Sequence, residues 1–169
     1  MVVDFGAYRT GITIVTNGTA VYTSTIDFGG KTLIASLMKE LNIGEEEAQK
    51  MKREYGLSAT GEHKDIFSTL VGGVSILKDE INRRYVYWQE KRDQVGSFPA
   101  IEKIYLSGGH SNLRGLADYL KVTLKLNVVQ VNPWINCLSY DDAIPSMPYE
   151  VSMSYVTAIG LALADYIYD

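Results

Sequence analysis

The twelve residues Met1-Val-Val-Asp-Phe-Gly-Ala-Tyr-Arg-Thr-Gly-Ile12 constrain the fold more than any other stretch of this chain. Val2 and Val3 make a short apolar strand that runs into Asp4-x-Gly6, and a second β-branched run starts at Gly11. The pattern predicts a strand, a tight polar turn and a returning strand. Such a turn can present backbone N–H groups and one carboxylate to a phosphate and its metal ion. Gly6 lets the backbone approach an anion without a Cβ in the way. Asp4, at a strand end, can hold Mg²⁺ through water, and Thr10 can donate its hydroxyl to a phosphate. A plain hairpin with Asp at its turn is the competing reading.

The returning strand contains Ile12, Ile14 and Val15 and ends at Asn17-Gly18, a two-residue hairpin signal because both turn positions need positive φ. Val21, Tyr22 and Ile26 then complete a three-stranded antiparallel meander, which Gly29-Gly30 breaks. Leu33, Ile34, Leu37, Met38 and Leu41 recur at helical spacing. After Asn42-Ile43-Gly44, Glu45-Glu46-Glu47 supplies acid to the first turn of a second helix ending near Gly56. Residues 58–62 read as a loop. The stripe Ile66, Phe67, Leu70, Val71, Val74, Leu77, Ile81, Tyr85 and Trp88 predicts a helix over 64–91, roughly 40 Å long. Gly72-Gly73 within it would admit another backbone.

A boundary at Ser97-Phe98-Pro99 opens an α/β region: strand 101–106, the turn Ser107-Gly108-Gly109, a helix from about Ser111–Asn112 with its amphipathic stretch over 113–126, and strand 128–131. A loop over 139–148 follows. A final helix, about 152–166, carries the small residues of Ala158-Ile-Gly-Leu-Ala-Leu-Ala164, which suit packing on a sheet. The expected organisation is an α/β subdomain of residues 1–28 and 99–169, with a mainly helical subdomain of 29–98 inserted between them. A cleft between the two would be a natural ligand site.

Within it, a flat aromatic base could lie on Gly108-Gly109, although an ordinary strand-to-helix turn gives the same pattern. Gln49 and Lys52, three apart on one helix face, could grip a ribose or base edge, or be a solvated surface. The net charge of −4 argues against a nucleic-acid surface. The single cysteine, Cys137, cannot form an internal disulfide, and no apolar run approaches the ~20 residues of a membrane span. A reducing compartment is expected, with no secretion leader. The two His and one Cys are too dispersed for zinc spacing.

In order, Ile26-Asp-Phe-Gly-Gly30, Glu46-Glu-Ala-Gln-Lys-Met-Lys52, Ile104-Tyr-Leu-Ser-Gly-Gly109, Leu113-Arg-Gly-Leu-Ala-Asp-Tyr-Leu120, Val131-Asn-Pro-Trp134 and Tyr155-Val-Thr-Ala-Ile-Gly-Leu-Ala-Leu163 resemble segments of the PilM family of type IV pilus assembly proteins. That family lies within the actin-like ATPase superfamily, and the cell-division protein FtsA shares several of the segments. The resemblance implies an actin-like, ribonuclease H-like α/β lobe with a mixed sheet flanked by helices. It implies ATP with Mg²⁺, Asp4, Gly6 and Thr10 as the second phosphate motif, Ser107, Gly108 and Gly109 as the adenosine motif, and Gln49 and Lys52 beside the ribose and base. It also implies that the chain is the C-terminal half of such a protein, since nothing in it resembles the first phosphate motif or the usual general base. At most a weak ATPase follows for the whole protein, and none for this half alone. The implied protein is a cytoplasmic scaffold, peripheral to the inner membrane, that holds the tail of a PilN-like membrane partner mainly through the other domain. FtsA-like adaptors and the ATP lobe of a sugar or acetate kinase are the alternatives.

The chain departs from the family pattern in places. Tyr8 and Arg9 are bulkier than usual: Arg9 could contact phosphate, or Tyr8 could crowd it. Gln49 replaces a Glu. His110 stands where a small residue is common, able to stack on adenine or to fill the pocket. Val2 and Val3, at the start of the chain, are expected to leave an edge or interface exposed and to drive self-association.

Overall fold

A computed structural model describes residues 1–58, 61–96, 98–138 and 145–167. The expected loop positions 59–60 and 139–144, the boundary residue Ser97 and the last two residues lie outside it. Strands β1 (Val2–Phe5), β2 (Thr10–Thr16) and β3 (Thr19–Ile26) form the predicted meander. Asn17 at φ 52° and Gly18 at φ 77° make its hairpin turn, as the Asn-Gly pair requires. On β2 the inward side chains Thr10, Ile12 and Ile14 are buried while their neighbours face outward.

The sheet order is β3-β2-β1-β4-β5, with β4 spanning Ile104–Ser107 and β5 Val128–Gln130. β1 pairs antiparallel with β2 and parallel with β4, which in turn pairs parallel with β5. The sheet is therefore mixed. β1 is its central strand, so the exposed edge expected at Val2–Val3 does not exist there: Val3 is fully buried and both flanks of β1 are hydrogen-bonded. An edge at β1 therefore gives no ground for self-association. β4 starts three residues later than expected, because residues 101–103 approach the sheet before joining the ladder.

Helix α1 (Gly30–Leu41) starts at the Gly-Gly break and stops at Asn42, which takes the left-handed conformation. Helix α2 (Glu45–Tyr55) ends, as predicted, at Gly56 with φ 53°. Its only buried residue is Ala48, so it lies on the outside of the core. Helix α3 (Lys64–Val95) has 32 residues, roughly 48 Å at 1.5 Å each. Ile66, Leu70, Val74, Leu77, Ile81 and Trp88 are its buried stripe. The partner at Gly73 is a side chain and not a backbone: a Cβ there would overlap Leu33 Cδ2 of α1, whereas Gly72 faces open space. One hydrophobic cluster runs from Val3, Phe5 and Ile12 through Leu33 and Leu37 to Leu70, Leu77 and Trp88. α1 and α3 thus share the core of the sheet.

Helix α4 (Leu116–Leu124) starts later than expected because residues 109–115 form turns, closing on Gly115 at φ 80°. The final helical region is broken into α5 (Tyr149–Ser152), a 3₁₀ turn over Met153–Tyr155 and α6 (Val156–Ile167). α6 was expected to pack on the sheet, and it does not. None of its residues 156–164 is buried, nothing lies within 4 Å of a Cβ placed on Gly160, and Leu161 is 71% exposed. Small apolar residues at helical spacing signal an apolar face, not which surface covers it.

Candidate functional site

Asp4 and Ser107 stand side by side in the parallel ladder, at the carboxyl ends of β1 and β4. The polypeptide then turns at Gly108, φ 87°. A Cβ there would overlap Asp4 Oδ1 and stand 2.6 Å from the Phe5 carbonyl oxygen. Only glycine fits, and it brings the second glycine turn directly against the aspartate. The turn is pinned to β1 by the His110 N–H, which donates to the Phe5 carbonyl (3.1 Å). Buried Ser111 closes it by donating its hydroxyl to the Gly108 carbonyl (2.7 Å). Ser107 itself is buried. The Asp4 carboxylate is open to solvent, yet nearby atoms desolvate it enough to raise its pKa above the ordinary value.

The first turn is organised differently from the sequence expectation. Gly6 donates its N–H to the Arg9 carbonyl (3.1 Å), closing the turn on itself. A Cβ on Gly6 would stand 2.9 Å from that same oxygen. Gly6 therefore shapes the turn, and its N–H is spent. Thr10 is fully buried and donates its hydroxyl to the Phe28 carbonyl (2.7 Å). That is a correction: its proton locks β2 to the segment between β3 and α1 and is not presented to a phosphate. Arg9 is drawn to Asp27 at 3.0 Å in an exposed ion pair. Tyr8 is 70% exposed on the outside of the turn.

Helix α2 supplies a wall. Glu45, Gln49 and Lys52 recur at helical spacing and share one face. At one end Gln49 Nε2 donates back to Glu45 Oε1 (3.1 Å), and Glu45 meets Lys31 of α1 at 3.8 Å. At the other end Lys52 approaches His110. Burial lowers the Lys52 pKa to about 8, with Arg53 adding repulsion. Burial also lowers His110 to about 4, and the Lys52 charge pushes the same way. At neutral pH the imidazole is therefore uncharged while the ammonium remains mostly charged.

His110 lies flat against Gly30, where a Cβ would overlap the ring, and edge-on to Phe5 at 5.9 Å. It fills the corner where β1, α1 and α2 meet. Of the sequence-predicted residues, Asp4, Ser107, Gly108 and Gly109 come together directly, and α2 brings Lys52 and Gln49 to the same side. Sequence reasoning missed Lys31, Gly30 as the seat of His110, and Ser154, whose hydroxyl lies against Gly109. The Gly-Gly of residues 29–30 was read as the end of the β-meander, yet its second glycine was the available signal.

Among the described residues no group of three or more His, Cys, Asp or Glu could hold a metal ion. A Mg²⁺ ion would have Asp4 with water and ligand oxygens. A cleft of about 340 Å³ lies at the other end of β1, between Met1, Asn17, Trp88, Pro99 and Tyr105, and contains none of these residues. The candidate site rests on convergent glycine backbone and charge, not on cavity size.

The model of the family described as type IV pilus assembly protein PilM matches residues 1–166. The chain belongs to the PilM family. A solved PilM–PilN type IV pilus biogenesis complex is similar over 96% of this chain and 44% of that chain, with 27% identity and a TM-score of 0.74. The chain thus spans less than half the length of that solved PilM-type relative. MreB 5 of Spiroplasma citri bound to AMPPNP is similar at 15% identity, covering 98% of this chain and 53% of that chain, TM-score 0.66. The ethanolamine utilization protein EutJ from Carboxydothermus hydrogenoformans is similar at 22% identity, covering 96% and 48%, TM-score 0.58. The fold is actin-like, as the order and direction of the five strands also indicate. PilM membership sets aside the FtsA-like and kinase readings.

Proposed function

We propose that this PilM-family chain is one wall of a nucleotide cleft in a type IV pilus assembly scaffold. A single observation carries the reading: Gly108 packs directly against Asp4, and His110, two residues further on, feels the charge of Lys52 on α2. A carboxylate, a glycine turn and a half-buried ammonium therefore share one side of the molecule. Asp4 would hold Mg²⁺ through water, consistent with a carboxylate at the edge of a phosphate site. Gly108 and Gly109 would carry the flat face of adenine. Lys52 and Gln49 would border the ribose and base. When bound, Mg²⁺ would offset the phosphate charge.

The relative bound to AMPPNP supports this use of the fold. The relative in complex with PilN supports a PilN-like inner-membrane partner for the assembled protein. The second wall would belong to the remainder of a protein that this chain spans in part. Hydrolysis, which needs preorganised groups on both sides of the phosphates, would be weak or absent in this chain alone. The cytoplasmic face of the inner membrane is the proposed location, reached through that partner. No described helix is long and apolar enough to cross a membrane. The proposed division keeps residues 29–98 as the inserted helical subdomain, with α2 meeting the core through Ala48 and α1 and α3 through longer buried stripes.

Titration calorimetry with ATP tests the reading. Mg²⁺ is expected to tighten binding to the unmodified chain, Asp4→Asn to remove that Mg²⁺ dependence, and Lys52→Ala to weaken binding about tenfold. Binding that both substitutions leave unchanged would contradict the assignment.

A further inference from the structure

Lys31 stands beside the first turn, with its Nζ near the Tyr8 ring. Lys31 is the second residue of α1, and its N–H donates to the Ala7 carbonyl (2.8 Å), while the Gly30 N–H donates to the Gly6 carbonyl (3.0 Å). The start of α1 is thereby fastened to the Asp4–Arg9 turn. The Lys31 side chain is parked on two exposed partners. Its Nζ lies 5.1 Å from the centre of the Tyr8 ring and 3.8 Å from Glu45 Oε1. Tyr8 first, then Glu45, holds the ammonium above its ordinary pKa, so it stays charged. Both contacts are weak, because water screens exposed pairs. Arg9, also on the turn, is engaged by Asp27 at 3.0 Å.

We propose that Lys31 reads the outer phosphates of a nucleoside polyphosphate seated on the Asp4 turn, and that it leaves Glu45 to do so. The inference rests on the nucleotide reading above and extends it. Glu45 shares the α2 face with Gln49 and Lys52, so removing Lys31 from Glu45 changes the charge balance of the wall facing the ribose and base. Phosphate number would thereby be transmitted from the turn to α2 through one side chain. A polyphosphate carries more charge than the Glu45 carboxylate and offers several acceptor oxygens, so it is the stronger partner.

The test compares ATP with AMP, both with Mg²⁺, on the unmodified chain and on Lys31→Ala, Lys31→Arg and Glu45→Gln. Circular dichroism confirms that each variant is folded. Lys31→Ala is expected to weaken ATP about tenfold and leave AMP unchanged, with Lys31→Arg restoring most of the loss. Glu45→Gln is expected to strengthen ATP binding, since it removes the competing anion. Equal effects of Lys31→Ala on ATP and AMP, or no effect on either, would overturn the inference while leaving the nucleotide reading in place. Failure of the unmodified chain to bind either nucleotide would overturn both.

Discussion

Gly108→Ala is expected to destabilise the chain by about 2–5 kcal/mol, measured by urea unfolding. Two costs add. The residue sits at φ 87°, a left-handed conformation that costs a side chain about 1–2 kcal/mol. The new Cβ would also overlap Asp4 Oδ1 and stand 2.6 Å from the Phe5 carbonyl oxygen. Asp4 can swing aside, but Phe5 is backbone in the central strand of the sheet. Relief would have to come from moving the turn, at an overpacking cost of about 1–3 kcal/mol. Gly72→Ala is the internal control. Nothing lies within 4 Å of a Cβ at Gly72, an exposed position inside α3. Alanine there is expected to stabilise by about 0.5–1 kcal/mol through helix propensity. A loss at Gly108 beyond the about 1–2 kcal/mol of its left-handed conformation would show the contact with Asp4 and Phe5.

Trp88→Ala is expected to cost about 3–5 kcal/mol, among the largest losses for a single truncation. The indole is buried on α3, packs on Phe98 at 4.9 Å and donates its N–H to the Pro99 carbonyl (3.0 Å). It ties the end of the long helix to the segment that leads into β4. Trp88→Phe should keep most of the packing and lose about 1 kcal/mol for the hydrogen bond. Trp88 lines the cleft at the opposite end of β1 from Asp4. Nucleotide affinity of folded Trp88→Phe should therefore match the unmodified chain, which separates stability from binding.

Local periodicity carried most of the fold. Asn17-Gly18 specified the hairpin, and the stripe from Ile66 to Trp88 specified α3, because each depends on neighbours within a few residues. The errors lie where a partner is remote. Thr10 reads as a free hydroxyl until the Phe28 carbonyl, eighteen residues later, arrives to accept it. The apolar run in α6 looks like a sheet-packing face, yet helical spacing does not name the surface it meets. The start of α4 was misplaced because Ser111 and Asn112 resemble helix caps. The Ser111 hydroxyl instead closes the glycine turn, by bonding to the Gly108 carbonyl.

The site was legible in part for the same reason. Asp4 and Gly108 announce themselves as strand-end turns, and Gln49 and Lys52 as one helix face. That His110 rests on Gly30, or that Lys31 bridges Tyr8 and Glu45, depends on how α1 docks on the first turn. The docking bonds run from backbone to backbone, from Gly30 and Lys31 to Gly6 and Ala7. Backbone bonds leave little signature in residue identity.

An amide NMR titration of the isotope-labelled chain with Mg–ATP at saturating concentration tests the central claim most directly. Shifts concentrated at Phe5–Tyr8, Ser107–His110 and Gln49–Lys52 are the expected result. Absence of shifts, or shifts confined to the cleft around Met1, Asn17 and Pro99, would contradict a nucleotide site at the Asp4 and Gly108 turns.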